Sequence, residues 1–158
     1  MNGVFNQFSY PLIASGVLLV IFLLLRRRVK PAIILVTEIA LLVIFIGGFF
    51  ALRTGDGDLA DMAGFDAVMA NDRPTFIEFF SNFCTGCLVI RPTVDALITD
   101  INDDFNVLRV NIHSDAGREL RDRLGFSFTP EFLLLDANGI EVWRDHVPPS
   151  DDILGQAH

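Results

Sequence analysis

The sequence predicts an α/β domain, built as a mixed sheet flanked by helices, preceded by a two-helix transmembrane hairpin. Three observations lead to this fold class. Two long apolar runs lie before residue 53. After residue 58, helix and strand patterns alternate, and the last two strand patterns are separated by a turn sequence. The chain therefore divides into a membrane part and a folded domain.

The N-terminal third of the chain is strongly apolar. Of the 158 residues, 51% are hydrophobic, and the mean hydropathy is +0.46, which is more apolar than an ordinary soluble domain. Residues 5–25 and 32–52 form two apolar runs of about 21 residues each, close to the roughly 20 that span a bilayer. We expect residues 1–52 to form a transmembrane hairpin with helices over these two runs.

The short connection between the runs sets their predicted orientation. Residues 26–31 read Arg-Arg-Arg-Val-Lys-Pro and hold four of the 12 basic residues. The positive-inside rule keeps such a loop in the cytoplasm, so both termini would face the extracytoplasmic side. We predict a two-pass protein in a cell membrane or thylakoid-type membrane, in contact with membrane lipid. Aromatic residues that would lie at the outer interface agree with this orientation: Phe5, Phe8, Tyr10, Phe49 and Phe50.

Two features of the apolar runs allow other interpretations. A cleavable signal peptide is an alternative for the first run, but such a peptide carries its positive charge before the apolar stretch, and here the charge follows it. Glu38 is the one charged residue within the second run. It either has a function in the membrane or reaches the cytoplasmic headgroups, and we assign it no role.

A polar, glycine-containing linker over residues 53–58 separates the hairpin from about 100 residues, a common size for one domain. We expect residues 59–158 to form that domain. The chain carries a net charge of −8, and the domain is more acidic still because four basic residues lie in the membrane loop. This charge argues against nucleic acid as a partner.

Helix and strand patterns alternate along the domain. The strand over 75–80 is mostly apolar and is expected to be buried on both faces. A strand-helix-strand unit followed by a hairpin gives a mixed sheet with helices on both faces. The predicted elements are a helix over 59–70, a strand over 75–80, a helix over 87–101 kinked at Pro92, a strand over 105–112, a helix over 115–124 ending at Gly125, strands over 132–135 and 140–144 joined by the turn 136–139, and a short helix over 150–156.

The two cysteines of the chain, Cys84 and Cys87, lie at the predicted strand-to-helix junction. A C-x-x-C beside a βαβ pattern is typical of a redox dithiol, because the helix N-terminus stabilises the thiolate of the first cysteine. The second cysteine, one turn later, can displace the first from a mixed disulfide. A structural disulfide is the simpler alternative, although so short a loop gains little loop-closure entropy.

Metal binding is another alternative for the cysteine pair. A four-ligand zinc site needs two more ligands, and the three histidines, His113, His146 and His158, are scattered along the sequence. We therefore predict no metal site. Copper(I) delivery by the two cysteines alone stays open.

Residues 76–92, Phe-Ile-Glu-Phe-Phe-Ser-Asn-Phe-Cys-Thr-Gly-Cys-Leu-Val-Ile-Arg-Pro, resemble the active-site strand, C-x-x-C and kinked helix of the thioredoxin superfamily. Residues 124–139, which include Thr129 and Pro130, are similar to the cis-proline hairpin of that family. The resemblance covers the chain from residue 59 onward. It implies a thioredoxin-like fold, a cis Thr129–Pro130 bond beside the cysteines, and a redox-active disulfide with no other cofactor.

The resemblance also implies roles for individual residues. Cys84 would be the exposed nucleophile and Cys87 the resolving thiol. Glu78 would be the buried acid that exchanges protons with Cys87, since burial raises the pKa of a carboxyl toward the working range. The backbone of the residue before the cis-proline would pair with an extended substrate segment. The implied substrate-binding residues are Phe83, Thr85, Gly86, Thr129 and Pro130.

Membrane-tethered thioredoxin-like proteins of the periplasm or thylakoid lumen are the relatives that the chain resembles most. Such relatives take electrons across the membrane from a polytopic thiol transporter. We therefore expect a thiol-disulfide oxidoreductase that reduces extracytoplasmic disulfide-containing proteins, with such a transporter as electron donor. The absence of a histidine between the cysteines favours this direction. The alternative from another class is a non-catalytic subunit, or docking module, of a membrane complex.

Overall fold

The computed structural model describes residues 2–157, with side chains described for residues 5–157. Met1 and His158, the outer ends of the predicted hairpin and domain, lie outside the described residues. The elements are α1 (Asn2–Gln7), α2 (Ser9–Leu25), α3 (Pro31–Leu52), α4 (Met62–Met69), β1 (Thr75–Phe80), α5 (Thr85–Ile101), β2 (Asn106–Asn111), α6 (Asp115–Leu124), β3 (Glu131–Leu135), β4 (Glu141–Asp145) and α7 (Asp151–Leu154), followed by a 3₁₀ turn over Gly155–Ala157.

Helices α2 and α3 pack side by side. The hydroxyl of Tyr10 donates a hydrogen bond of 2.6 Å to the carbonyl of Phe45, and its ring contacts Phe49. Within residues 2–157, α3 is the one helix long and apolar enough to cross a membrane, with 22 residues and a mean hydropathy of 2.6, whereas α2 is apolar but shorter. The structure therefore does not establish two membrane spans, and the transmembrane hairpin stays a prediction.

The sequence predicts one continuous helix over the first apolar run, but the structure divides this run between two helices, α1 and α2. Phe8 separates α1 from α2 with a φ of −117° and a ψ of 24°. Backbone groups beside this break bond to the α/β domain: the carbonyl of Gln7 accepts from the hydroxyl of Ser81 at 3.1 Å, and the N–H of Tyr10 donates to the carbonyl of Phe83 at 2.9 Å. Pro11 explains the break, because it has no N–H to bond the carbonyl of Gln7 and its ring would clash with that carbonyl in a continuous helix. Tertiary hydrogen bonds satisfy the backbone groups that the break leaves free.

Within residues 2–157 the sheet has four strands in the order β2-β1-β3-β4. Strand β1 is parallel to β2 and antiparallel to β3, and β3 is antiparallel to β4. The predicted mixed sheet is confirmed. The register places Glu78 of β1 directly opposite Arg109 of β2.

Helices cover both faces of the sheet, as predicted. All six residues of β1 are buried, and alternate side chains enter two different apolar clusters. Ile77 and Phe79 pack with residues of α4 and α6, whereas Phe76 packs with Val94 and other residues of α5 and α7. Burying one such side chain contributes roughly 1.5–3 kcal/mol. The two clusters hold β1 rigidly, so its C-terminal end is a stable base for the cysteines.

Candidate active site

The cysteine pair lies at the junction between β1 and α5. Cys84 is the N-cap residue of α5, and its sulfur accepts the backbone N–H of Cys87 at 3.3 Å. Both cysteines are free thiols and buried. An extended backbone at Cys84, with a φ of −89° and a ψ of 116°, turns its sulfur over the first turn of the helix. This is the position in which free helical N–H groups stabilise a thiolate.

The pKa values of the two thiols are shifted in opposite directions. The pKa of Cys84 is lowered to about 6, chiefly by the hydrogen bond from the Cys87 thiol. Burial of Cys84 raises this pKa, whereas further hydrogen bonds from Thr129 and from the N–H groups of Cys87 and Gly86 lower it. The pKa of Cys87 is raised, first by its hydrogen bond to Cys84, then by burial and by the negative charge on Cys84. At neutral pH the pair is therefore a thiolate at Cys84 held by a neutral thiol at Cys87.

The Thr129–Pro130 peptide bond is cis, which confirms the expectation from the resemblance. The carbonyl of Thr129 lies 3.6 Å from the sulfur of Cys84. Pro130 lies against the C-x-x-C turn, because a Cβ built on Gly86 would be 3.5 Å from the Cδ of Pro130 and 3.7 Å from the sulfur of Cys84. The structure thus brings three of the predicted substrate-binding residues next to the nucleophile.

Glu78 is buried on β1 but pairs with a residue that the sequence did not single out. Its carboxylate accepts from the Nε of Arg109 at 2.7 Å, and Arg109 also donates to Asp95 at 2.6 Å. Burial raises the pKa of Glu78, and Arg109 opposes this rise. The main influences on the pKa of Cys87 are Cys84, burial, Ser81 and Thr129. Proton exchange between Glu78 and Cys87 therefore stays a prediction.

Cys84 is not exposed, contrary to the sequence expectation. Its exposed fraction is 0%, whereas that of neighbouring Phe83 is 37%. The reason is tertiary, since the groups around the sulfur contact residues of α1 and α2: the N–H of Thr85 donates to the hydroxyl of Ser9 at 2.9 Å, and the hydroxyl of Thr129 donates to the side chain of Asn6 at 2.9 Å. Three of the predicted substrate-binding residues, Phe83, Thr85 and Thr129, are thus in contact with this part of the same chain.

Two histidines that look scattered in the sequence lie beside the site. The Nε2 of His113 is 3.0 Å from the hydroxyl of Ser81, and the Nδ1 of His146 is 2.7 Å from the carbonyl of Pro130. Among residues 2–157, no group of three or more histidine, cysteine or acidic side chains is arranged to hold a metal ion. Sequence spacing could not have indicated either histidine, since each reaches the site through the pairing of distant segments.

The family described as Thioredoxin matches residues 59–150 of the chain. The chain is also similar to Thioredoxin-like protein HCF164, chloroplastic, from Arabidopsis thaliana, with 27% identity over 118 residues, covering 74% of this chain and 44% of the relative. With the Thiol:disulfide interchange protein TxlA from Synechococcus elongatus it shares 30% identity over 77 residues, covering 48% of this chain and 39% of the relative. The chain spans 38% to 44% of the length of the first curated relatives it matches.

A solved structure supports the fold. The crystal structure of the germline-specific thioredoxin protein Deadhead from Drosophila melanogaster aligns with a TM-score of 0.51 at 19% identity, covering 62% of this chain and 92% of that one. At this identity the likeness shows the fold alone.

Proposed function

The chain belongs to the thioredoxin family, and from this premise we propose that it is a membrane-anchored thiol-disulfide oxidoreductase that reduces disulfides of extracytoplasmic proteins. The observation that carries the proposal is the position of the dithiol: Cys84 is the N-cap residue of α5, and its sulfur accepts the N–H of Cys87 at 3.3 Å. The shifts in thiol pKa agree with this geometry. A Cys84 thiol with a pKa of about 6 is mostly thiolate at neutral pH, and the thiolate is the attacking species.

The reaction needs the two cysteines in sequence. The thiolate of Cys84 attacks one sulfur of a substrate disulfide, the substrate S–S bond breaks, and the released sulfur takes up a proton. This step removes the charge on Cys84, which is one cause of the raised pKa of Cys87. Cys87 then loses its proton more readily, attacks the mixed disulfide and releases the second substrate thiol. Two electrons have passed to the substrate, and a Cys84–Cys87 disulfide remains.

Glu78 is the group we propose to receive the proton of Cys87. Burial raises the pKa of this carboxyl, and a base with a raised pKa is a better proton acceptor near neutral pH. Its ion pair with Arg109 holds the side chain in one orientation on β1. Thr129 and Pro130 would present the docking edge for an extended substrate segment.

The residues between the cysteines support the reducing direction. They are Thr85 and Gly86, and a histidine between the cysteines, a feature associated with strongly oxidising relatives, is absent. The lowered pKa of Cys84 supplies the thiolate that attacks.

The membrane location is supported by the apolar helices and by the basic loop. Helix α3 is long and apolar enough to span a bilayer, and four basic residues cluster in residues 26–30, between α2 and α3. We propose that this loop is cytoplasmic and that the α/β domain is on the opposite side. A relative is named as chloroplastic and another as a thiol:disulfide interchange protein. A polytopic thiol transporter is the proposed electron donor.

The reduction potential of the Cys84–Cys87 pair tests the direction. The 158-residue chain, purified in detergent, is equilibrated with glutathione buffers and the fraction of disulfide is measured by mass spectrometry. We expect a value near that of thioredoxin, roughly −270 mV, whereas a value near −120 mV would make the protein an oxidant. Absence of a reversible couple would contradict an enzymatic role and favour a docking module.

Trapping of mixed disulfides tests the roles of the two cysteines. With Cys87→Ala, substrate proteins should accumulate as mixed disulfides through Cys84, because the resolving thiol is absent. Cys84→Ala is the matched control and should trap none. Equal trapping by the two variants would contradict the assignment of Cys84 as nucleophile.

A further inference from the structure

Residues 6–10, here called the strap, lie across the face of the domain that carries Cys84. The strap spans the end of α1, the break at Phe8 and the start of α2. Its contacts reach both sides of the cysteine: Asn6 to Thr129, the carbonyl of Gln7 to Ser81, the ring of Phe8 to Phe83 and His113, the hydroxyl of Ser9 to Thr85, and the N–H of Tyr10 to the carbonyl of Phe83.

The strap occupies polar groups that an incoming polypeptide would use. The N–H of Thr85, in the first turn of α5, donates to the hydroxyl of Ser9 at 2.9 Å. The carbonyl of Phe83 accepts from the N–H of Tyr10 at 2.9 Å. These two residues flank Cys84 in the sequence, and the cysteine between them is 0% exposed.

The helix break leaves backbone groups of the strap free to bond to the domain. Pro11 has no N–H for the carbonyl of Gln7 and would clash with that carbonyl in a continuous helix, so the helix is interrupted at Phe8. The carbonyl of Gln7 accepts instead from the hydroxyl of Ser81, and the N–H of Tyr10 donates to the carbonyl of Phe83. The face that carries Cys84 therefore supplies the hydrogen bonds that the helix cannot.

We propose that the strap is a built-in lid over Cys84 and that a substrate protein must displace it to reach the thiolate. This inference rests on the proposed function. The contacts also define the substrate segment that fits: an extended segment with a hydrogen-bond acceptor for the N–H of Thr85, a backbone N–H for the carbonyl of Phe83, and a ring or apolar group against Phe83.

Alkylation of Cys84 in the reduced 158-residue chain tests the lid. In the variant Asn6→Ala/Phe8→Ala the strap loses a hydrogen bond and a ring stack, so the rate constant with iodoacetamide should rise by about fivefold or more. The reaction is run at pH 8, above the pKa of about 6 of Cys84, so that rates report access rather than ionisation. Ser9 is left intact, because its hydroxyl contacts the helix N-terminus that stabilises the thiolate.

Phe5→Ala is the matched control, since Phe5 lies outside the strap and is 72% exposed; its rate constant should equal that of the unmodified chain. Circular dichroism shows whether each variant keeps its fold. An unchanged rate in the folded double variant would overturn the lid.

Hydrogen exchange provides a second readout that needs no substitution. When Cys84 carries a bulky maleimide, amides of residues 6–10 should exchange faster than in the free thiol form, because the strap has been displaced. Unchanged exchange would contradict the lid. Neither readout depends on disulfide reduction: a lid without any reductase activity would overturn only the proposed function, and reduction without these effects would overturn only the lid.

Discussion

At the scale of single residues, Arg109 compensates the buried negative charge of Glu78. The side chain of Glu78 is 1% exposed, and leaving a buried charge without a partner is strongly unfavourable. Arg109 supplies the counter-charge from the neighbouring strand at 2.7 Å, and its guanidinium also lies 6.0 Å from the ring centroid of Phe80. The pair is therefore a structural requirement of the site.

Arg109→Leu should lower the free energy of unfolding by about 3–5 kcal/mol at pH 7.5. The loss should be smaller at pH 5, because burial already raises the pKa of Glu78 and removal of Arg109 raises it further. A carboxyl whose pKa is raised in the folded state is favourable while protonated, and this stabilisation is lost as the pH rises through the raised pKa. Urea unfolding followed by the fluorescence of Trp143, the single tryptophan, measures both values.

The control for this prediction is the double variant Glu78→Gln/Arg109→Leu. It has no ionisable group at residue 78, so the difference in destabilisation between pH 5 and pH 7.5 should disappear. Equal destabilisation of Arg109→Leu at the two pH values would show that the lost free energy comes from packing rather than from the carboxylate.

At the scale of elements, the start of α6 is pressed against the end of β2. Ser114 caps α6, with its hydroxyl accepting from the N–H of Gly117 at 3.0 Å and donating to the carbonyl of Asn111 at 2.8 Å. A Cβ at residue 117 would overlap that same carbonyl oxygen. Glycine is required here because the helix and the strand end approach more closely than any side chain allows.

Gly117→Ala should destabilise the domain by about 1–3 kcal/mol, because the added methyl group pushes α6 away from β2. Gly64→Ala in α4 is the matched control. A Cβ at residue 64 would make only ordinary contacts, 3.5 Å from Asp61 and 3.7 Å from Leu59, and alanine favours a helix over glycine by roughly 0.8–1 kcal/mol. Thermal unfolding followed by circular dichroism compares the two. A Gly117→Ala protein as stable as Gly64→Ala would contradict the close approach.

At the scale of the whole molecule, the predicted linker is bound to the domain rather than free. The side chain of Asn82 accepts from the N–H groups of Thr54 and Gly55, at 2.9 and 3.2 Å, and donates to the carbonyl of Gly55 at 2.6 Å. Further along, Gly57 forms a β-bridge with Val110. Together with the ring stack of Phe49 on Phe83, these contacts hold the helical pair and the domain in one arrangement.

Asn82→Ala should release the linker and make it a better protease substrate. Trypsin cleaves after Arg53, whose carbonyl accepts from Arg91 at 2.7 Å, and the rate of cleavage there should rise by about fivefold as hydrogen bonds to the linker are lost. Limited proteolysis of the 158-residue chain followed by mass spectrometry measures this rate. Asn138→Ala, which removes a side chain bonded to Asp136 in the β3–β4 turn, should leave it unchanged. Slow cleavage in both variants would mean that Asn82 does not hold the linker.

Much of the domain could be predicted from the sequence because its signals are local. The bounds of β1 and α6 agree with the predicted ranges, since a mostly apolar run and a helix pattern that ends at a glycine are complete within a few residues. The helix before β1 is shorter than predicted, because Asp61 caps it by accepting the N–H of Gly64 at 2.8 Å. Helix α5 begins at Thr85 rather than at residue 87. The two residues before Cys87, Thr85 and Gly86, are not large apolar residues, so the helical apolar pattern does not mark this start.

The sequence by itself determined the α/β fold and the dithiol at a strand-to-helix junction, because backbone hydrogen-bonding patterns and helix ends act over short distances. The cis bond before Pro130 was implied only by the resemblance to the thioredoxin superfamily. Only the tertiary structure decided that Glu78 pairs with Arg109 and that Cys84 is covered. Both depend on which distant segments meet: the parallel register of β1 and β2 in the first case, and the docking of residues 6–10 in the second.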